Sequence, residues 1–132
     1  MAKKILIVDD EPDVIVILGL RLKIAGFEVI TGSNGFQAIE LAQKEKPDLI
    51  ILDVKMPGMD GYTTFKKLRD DPETSSISVV FFTALQPQAA QAKVEELGAD
   101  GFLSKTADPQ EVLSIIRKIS EQTVCRSCPN PG

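Results

Sequence analysis

Four consecutive large apolar residues, Leu49 to Leu52, end in a single acid, Asp53, after which the chain turns at Pro57-Gly58. A short, uninterrupted apolar run reads as a strand buried on both faces, the habit of parallel sheets covered by helices. Asp53 therefore stands at the carboxyl end of a central strand. In open α/β sheets that edge carries the ligand site, because the loops leaving the strands diverge there. A carboxylate so placed suits chemistry better than packing.

The flanking sequence repeats the pattern. Lys4 to Val8 reads as a first strand and runs into Asp9, Asp10 and Glu11; Pro12 then suits the first turn of a helix reaching about Ala25, with Val14, Leu18 and Leu22 on one stripe, Ile15 beside them, and Gly26 as the stop. Glu28 to Thr31 make a second strand. Asn34 with Gln37 resembles a capping box opening a helix that turns Ala38, Leu41 and Ala42 inward and ends at Pro47. Beyond the Pro-Gly turn come a helix over about Tyr62 to Arg69, a polar loop Asp71 to Ser76, a strand Ile77 to Phe82 ending in Thr83-Ala84, and a helix from Gln88 to Leu97 stopped by Gly98. A fifth strand, Gly101 to Ser104, closes on Lys105. Asp108-Pro109 then caps and opens a last helix with Val112, Ile115, Ile116 and Ile119 inward.

Strand and helix thus alternate five times, which calls for an α/β fold: a doubly wound parallel sheet of five strands with helices on both faces. At 132 residues the chain fits one domain. Periodicity holds over residues 1–121 and is lost in 122–132, expected to be a flexible tail or the start of a linker. Cys125 and Cys128 lie in that tail, off any strand-to-helix turn, and make at most half of a zinc site.

Several function classes fall away. A net charge of −4 with no dense basic patch argues against a grip on nucleic acid by this domain. No stretch approaches a membrane span, and the apolar run after Met1 is too short for a secretion signal, so a cytoplasmic protein without membrane contact is expected. Histidine is absent, which removes histidine bases and most catalytic zinc sites. Chemistry must run on carboxylates, lysine, hydroxyls or a metal.

In a parallel sheet the carboxyl ends of the strands share one rim, which brings together Asp9, Asp10, Asp53, Thr83 and Lys105. Three carboxylates and one ammonium leave a charge of about −2, which a divalent cation cancels. Oxygen-only donors with room left for water describe Mg²⁺. A carboxylate beside such a cation can accept a phosphoryl group, with Lys105, the Thr83 hydroxyl and the Ala84 backbone N–H binding the transferring oxygens.

The acidic pair after strand one, Asp53 followed by Lys-Met-Pro-Gly-Met-Asp-Gly, Thr83-Ala84 after strand four and Lys105 after strand five together resemble the receiver domain of two-component response regulators, a family that includes the chemotaxis regulators. The resemblance covers about Lys3 to Glu121. It implies a flavodoxin-like (βα)5 sheet in the strand order 2-1-3-4-5 and a signalling switch, not an enzyme beyond its own phosphoryl transfer and dephosphorylation. Asp53 would take its phosphoryl group from a sensor histidine kinase or phosphotransfer protein, in a Mg²⁺-dependent reaction. Asp9, Asp10 or both would hold the metal with Asp53 and the Lys55 carbonyl. Thr83, Ala84 and Phe102 would form the switch, with helix four, strand five and helix five as the surface for a downstream effector or a homodimer. Lys55 and Leu85 would border the path of an attacking water. The family usually has proline after the lysine, often cis; here Thr106 follows, and a cis bond before a non-proline costs about 2.5–4 kcal/mol, so trans is expected.

Each residue also has a plainer reading. Asp9 and Asp10 could cap the first helix, Lys105 could be a surface lysine, Thr83 a strand end and Phe102 a core residue. Two other functions compete: a Mg²⁺-dependent phosphatase or phosphotransferase with an aspartyl nucleophile, and a flavodoxin-like nucleotide or flavin binder. Against the first, the strand-one acids are adjacent, where an Asp-x-Asp would be expected; against the second, no glycine-rich loop follows strand one. The chain is expected to be either a stand-alone receiver that acts by binding a partner or a piece of a longer regulator.

Overall fold

The computed structural model describes residues 3–56, 58–105 and 108–123. Ten elements alternate: β1 (Lys4–Val8), α1 (Pro12–Ile24), β2 (Glu28–Gly32), α2 (Gly35–Glu45), β3 (Leu49–Asp53), α3 (Gly61–Asp70), β4 (Ser78–Thr83), α4 (Pro87–Leu97), β5 (Gly101–Ser104) and α5 (Pro109–Thr123). All strand pairs are parallel, in the order β2-β1-β3-β4-β5. β3 lies at the centre, and each of its five residues is buried, as its unbroken apolar sequence requires.

Alternate side chains of the strands feed two cores. Leu6, Val8, Ile50, Leu52, Val79 and Phe81 pack with Ala38 and Ala42 of α2, Phe65 and Leu68 of α3 and Val94 of α4. Ile5, Ile7, Leu49, Ile51, Val80, Phe82 and Leu103 pack with Leu18 and Leu22 of α1 and Val112, Ile116 and Ile119 of α5. Helices thus cover both faces, three on one and two on the other.

Element ends differ from the sequence reading by a residue or so, for local reasons. Asp60 accepts from the Thr63 N–H at 2.8 Å, so α3 opens at Gly61. Pro87 is tolerated inside the first turn of α4, which therefore starts before Gln88. Asn34 caps α2 through the Gln37 N–H at 2.9 Å, but the Gln37 side chain returns to the N–H of Ser33, one residue earlier, at 2.8 Å. α5 runs to Thr123, past the expected boundary at residue 121. Cys125, Cys128 and the Lys105–Thr106 bond lie outside the described residues.

At the amino ends of β4 and β5, Arg69 gathers the chain. Its guanidinium donates to the carbonyls of Ile77 (2.6 Å) and Ser75 (3.1 Å) and to Asp100 Oδ2 (3.0 Å), over the ring of Phe65. Asp100 Oδ2 also accepts the Val79 N–H at 2.8 Å. Among the described residues no helix is long and apolar enough to cross a membrane.

Candidate functional site

Asp9 follows the last residue of β1, Asp53 ends β3, Thr83 ends β4, and Lys105 comes directly after β5, so the parallel topology places all four on one rim. Register tightens the placement. Asp53 is level with Phe82 and Thr83 with Ser104. The Lys105 N–H donates to the Thr83 carbonyl at 2.9 Å, which fixes where the lysine side chain starts.

Lys105 Nζ lies 2.9 Å from Asp53 Oδ1 and 3.5 Å from Asp9 Oδ2, with Glu11 Oε1 farther out at 3.9 Å. Both aspartates are buried, at 1% and 0% exposure. Asp9 does not cap α1 in the usual way. Its Oδ1 accepts the Glu11 N–H at 2.9 Å, while Glu11 itself occupies the capping position without a side-chain cap bond. The other oxygens, Asp9 Oδ2 and Asp53 Oδ2, are buried with no hydrogen-bond partner among the described residues.

Unpartnered buried carboxylate oxygens are costly. Burial pushes the Asp53 carboxyl up from its ordinary 3.8 to about 6, against the Lys105 hydrogen bond that lowers it; the charge of Asp9 adds to the rise and the Lys55 backbone N–H opposes it. Burial works to lower the Lys105 ammonium as well, but the hydrogen bond and charge of Asp53, with Asp9 and Glu11, hold it above the ordinary lysine value. The lysine is thus a fixed cation in a site that still carries excess negative charge.

Asp10 is exposed, and it completes the set: Asp9, Asp10 and Asp53 each offer a carboxylate oxygen, all within 4.8 Å of one another. Asp53 brings a buried oxygen without a hydrogen-bond partner among the described residues, and Asp9 one whose nearby cation is Lys105 Nζ at 3.5 Å. An all-oxygen donor set of this kind, open to water on the Asp10 side, fits a hard divalent cation.

Beside it opens a cavity of about 400 Å³ lined by Asp53, Val54, Lys55, Tyr62, Thr83, Ala84, Leu85, Lys93 and Lys105. Thr83 Oγ1 accepts the Leu85 N–H at 3.1 Å. Phe102 is level with Phe81 on the neighbouring strand and half-buried against the α2–α3–α4 core. It does not touch the carboxylates but shares a sheet face with Thr83, two register steps away.

Sequence reasoning brought out Asp9, Asp10, Asp53, Thr83 and Lys105, and the structure collects all five. It missed three contributors. Glu11 approaches Lys105; Tyr62 packs edge-on against Phe81 with ring centroids 5.1 Å apart; and Lys93 lies 5.1 Å over the Tyr62 ring. Glu11 was visible as a third acid after β1. Lys93 gives no sequence signal, since a lysine on a helix face is most often a solvated one.

Comparison with known proteins agrees with this geometry. Residues 5–117 match the family model of the response regulator receiver domain. The chain is 39% identical over 134 residues to the probable transcriptional regulator ycf27 of Pyropia yezoensis, covering 98% of this chain and 54% of that protein. It is 39% identical over 119 residues to the alkaline phosphatase synthesis transcriptional regulatory protein PhoP of Bacillus subtilis, covering 90% of this chain and 49% of PhoP. The chain spans about half the length of these curated relatives. Among solved structures, chemotaxis response regulator CheY4 of Vibrio cholerae superposes with a TM-score of 0.83 at 31% identity, covering 90% of this chain and 99% of that one.

Proposed function

The chain belongs to the response regulator receiver domain family, and from that premise we propose that Asp53 accepts a phosphoryl group from the phosphohistidine of a sensor histidine kinase or phosphotransfer protein. The observation that carries this reading is the state of the Asp53 carboxylate: one oxygen held by Lys105 at 2.9 Å, the other buried without a hydrogen-bond partner among the described residues, with Asp9 Oδ2 3.5 Å from the same ammonium. The aspartyl-nucleophile phosphatase is not favoured, because the family match accounts for the same residues as a switch.

In the proposed transfer, a free Asp53 oxygen attacks phosphorus. The phosphorus–nitrogen bond of the donor breaks, and the imidazole nitrogen keeps the electron pair and takes a proton from water. Mg²⁺ held by Asp9, Asp10, Asp53 and the Lys55 carbonyl would supply neutralisation of the charge that develops on the transferring oxygens. Lys105, the Thr83 hydroxyl and the Ala84 N–H receive those oxygens. Water later hydrolyses the acyl phosphate along the path bordered by Lys55 and Leu85.

The switch follows from the Thr83 hydrogen bond. Turning the Thr83 side chain so that its hydroxyl donates to a phosphoryl oxygen carries Oγ1 away from the Leu85 N–H that it now accepts. The loop 84–87 is then released, and Phe102 turns into the vacated space, altering the face formed by α4, β5 and α5. That face would bind a downstream effector or, once switched, pair as a homodimer. We read residues 1–121 as the receiver unit and 122–132 as tail or linker, acting in the cytoplasm without direct nucleic acid or membrane contact.

The test is intact mass after incubation with acetyl phosphate, with and without Mg²⁺, on wild type and Asp53→Asn. The expected result is a Mg²⁺-dependent gain of one phosphoryl group that the variant lacks. No gain under any condition would overturn the assignment.

A further inference from the structure

The cavity beside Asp53 differs in sign from the acidic cluster that adjoins it. Its lining holds three lysines, Lys55, Lys93 and Lys105, against the single carboxylate of Asp53, whereas Asp9, Asp10 and Asp53 together form a group of acids alone. Two of the lysines already serve the site: Lys105 grips Asp53 at 2.9 Å, and the Lys55 backbone N–H acts on the same carboxyl. Lys93 has no such role, and it comes from a different element.

α4 opens at Pro87, shortly after Thr83, so its amino end stands at the rim. Helical side chains lean toward the amino end of their helix, which turns Lys93 from the middle of α4 toward the cavity. Its ammonium lies 5.1 Å from the centroid of the Tyr62 ring. That ring is a fixed support, packed edge-on against the buried Phe81 with centroids 5.1 Å apart. The ion-pair partner of Lys93 is different in kind: Glu96 Oε2 lies 3.1 Å away, one helical turn on, with the two side chains 43% and 62% exposed. Such an exposed pair contributes little and is readily exchanged for a better partner.

The charge count says what that partner is. With the solvent-facing Glu11 left aside, the three aspartates and Lys105 carry a net charge of about −2, which a divalent cation cancels. A phosphoryl group on Asp53 brings roughly one further negative charge into a partly buried space where screening is weak. We propose that Lys93 is a second phosphoryl-binding lysine: once Asp53 is modified, the Lys93 ammonium exchanges the Glu96 carboxylate for a phosphoryl oxygen, with the Tyr62 ring keeping its stem on course. The inference rests on Asp53 as the acceptor, and it adds to Lys105 a cation that engages only in the modified state. Tyr62 is a positioning residue in this arrangement.

The experiment titrates beryllium fluoride, which forms a tetrahedral phosphoryl mimic on a carboxylate oxygen, into the full 132-residue chain in the presence of Mg²⁺. Tyr62 is the single tyrosine and tryptophan is absent, so intrinsic fluorescence reports from the wall of this cavity. Lys93→Met is expected to bind the mimic about fivefold more weakly with an unchanged melting temperature, and Lys93→Arg to stay within about twofold of wild type. Glu96→Gln frees the ammonium and should tighten binding about twofold, a gain that disappears when Lys93→Met is added. Lys66→Met removes the same charge from an exposed position of α3 outside the cavity and should leave binding unchanged. Binding indifferent to Lys93→Met, or weakened as much by Lys66→Met, overturns the inference and leaves Asp53 as the acceptor. A wild type that neither binds the mimic nor gains phosphoryl mass from acetyl phosphate overturns the assignment of Asp53, and this inference with it.

Discussion

The backbone N–H of Lys105 donates to the carbonyl of Thr83 at 2.9 Å, so the ammonium that grips Asp53 and the hydroxyl beside it hang from adjoining residues of one strand pair. Any shift at the end of β4 is therefore felt at the lysine, and a change at the lysine is felt at β4.

Thr83→Ala separates accepting a phosphoryl group from responding to it. The variant loses the acceptor of the Leu85 N–H, so amide exchange at Leu85 should speed up about fivefold before any phosphorylation, the loss of one bond worth about 1 kcal/mol. Asp53 should still be modified by acetyl phosphate. Phosphorylation should no longer alter exchange in α4 and β5, and a full response in the variant would remove Thr83 from the switch.

The Asp53 carboxyl sets a pH dependence in metal-free buffer. Its folded value of about 6 lies above the ordinary 3.8, so the native state binds the proton more tightly than the unfolded chain. Its contribution to stability is complete below about pH 4 and lost as pH rises through 6. Asp53→Asn cannot ionise and should flatten that part of the profile. At pH 7.5 it should be more stable than wild type by about 1–3 kcal/mol, measured by urea unfolding in EDTA. Superimposable profiles for the two proteins would contradict the assignment.

Lys105→Met keeps the stem and removes the charge. Asp9 and Asp53 then share a buried space with no cation, and loss of one partner of a buried pair costs about 3–5 kcal/mol. Added Mg²⁺ should recover more stability in the variant than in wild type, because it meets a larger excess of negative charge. Phosphorylation of Asp53 should slow by about a hundredfold. Thermal melts with and without Mg²⁺, beside intact mass against time, read both effects.

Gly61→Ala tests how closely α3 approaches the acceptor. A Cβ at Gly61 would fall against the Asp53 carbonyl and 2.8 Å from the Val54 Cα, both backbone atoms that cannot step aside. The Gly61 N–H also donates to the Val54 carbonyl at 2.8 Å. A loss of about 2–4 kcal/mol is expected, together with slower phosphorylation, since the end of β3 must move for the methyl to fit. A variant as stable and as reactive as wild type would show that this approach is loose.

The strands were the most legible part of the fold. Residues buried on both faces must be apolar at every position, so β1, β3 and β4 announce themselves, and the acid or hydroxyl that ends each run marks the rim. The inward stripes of α1 and α5 were legible for the same reason, whereas the starts of α3 and α4 moved by a residue because Asp60 and Pro87 act through local backbone geometry. What the sequence hid were relationships across the sheet. Nothing near Arg69 points to Asp100, 31 residues away, until the sheet brings the starts of β4 and β5 together.

Arg69 and Asp100 pin β4 and β5 at the end of the sheet opposite Thr83 and Lys105. A strand held at its foot cannot slide along its neighbour, so a pull applied at its tip becomes a small rotation about that foot. The guanidinium is in this sense a fulcrum. It ties the starts of both strands to α3, at the end of the sheet away from the carboxylates.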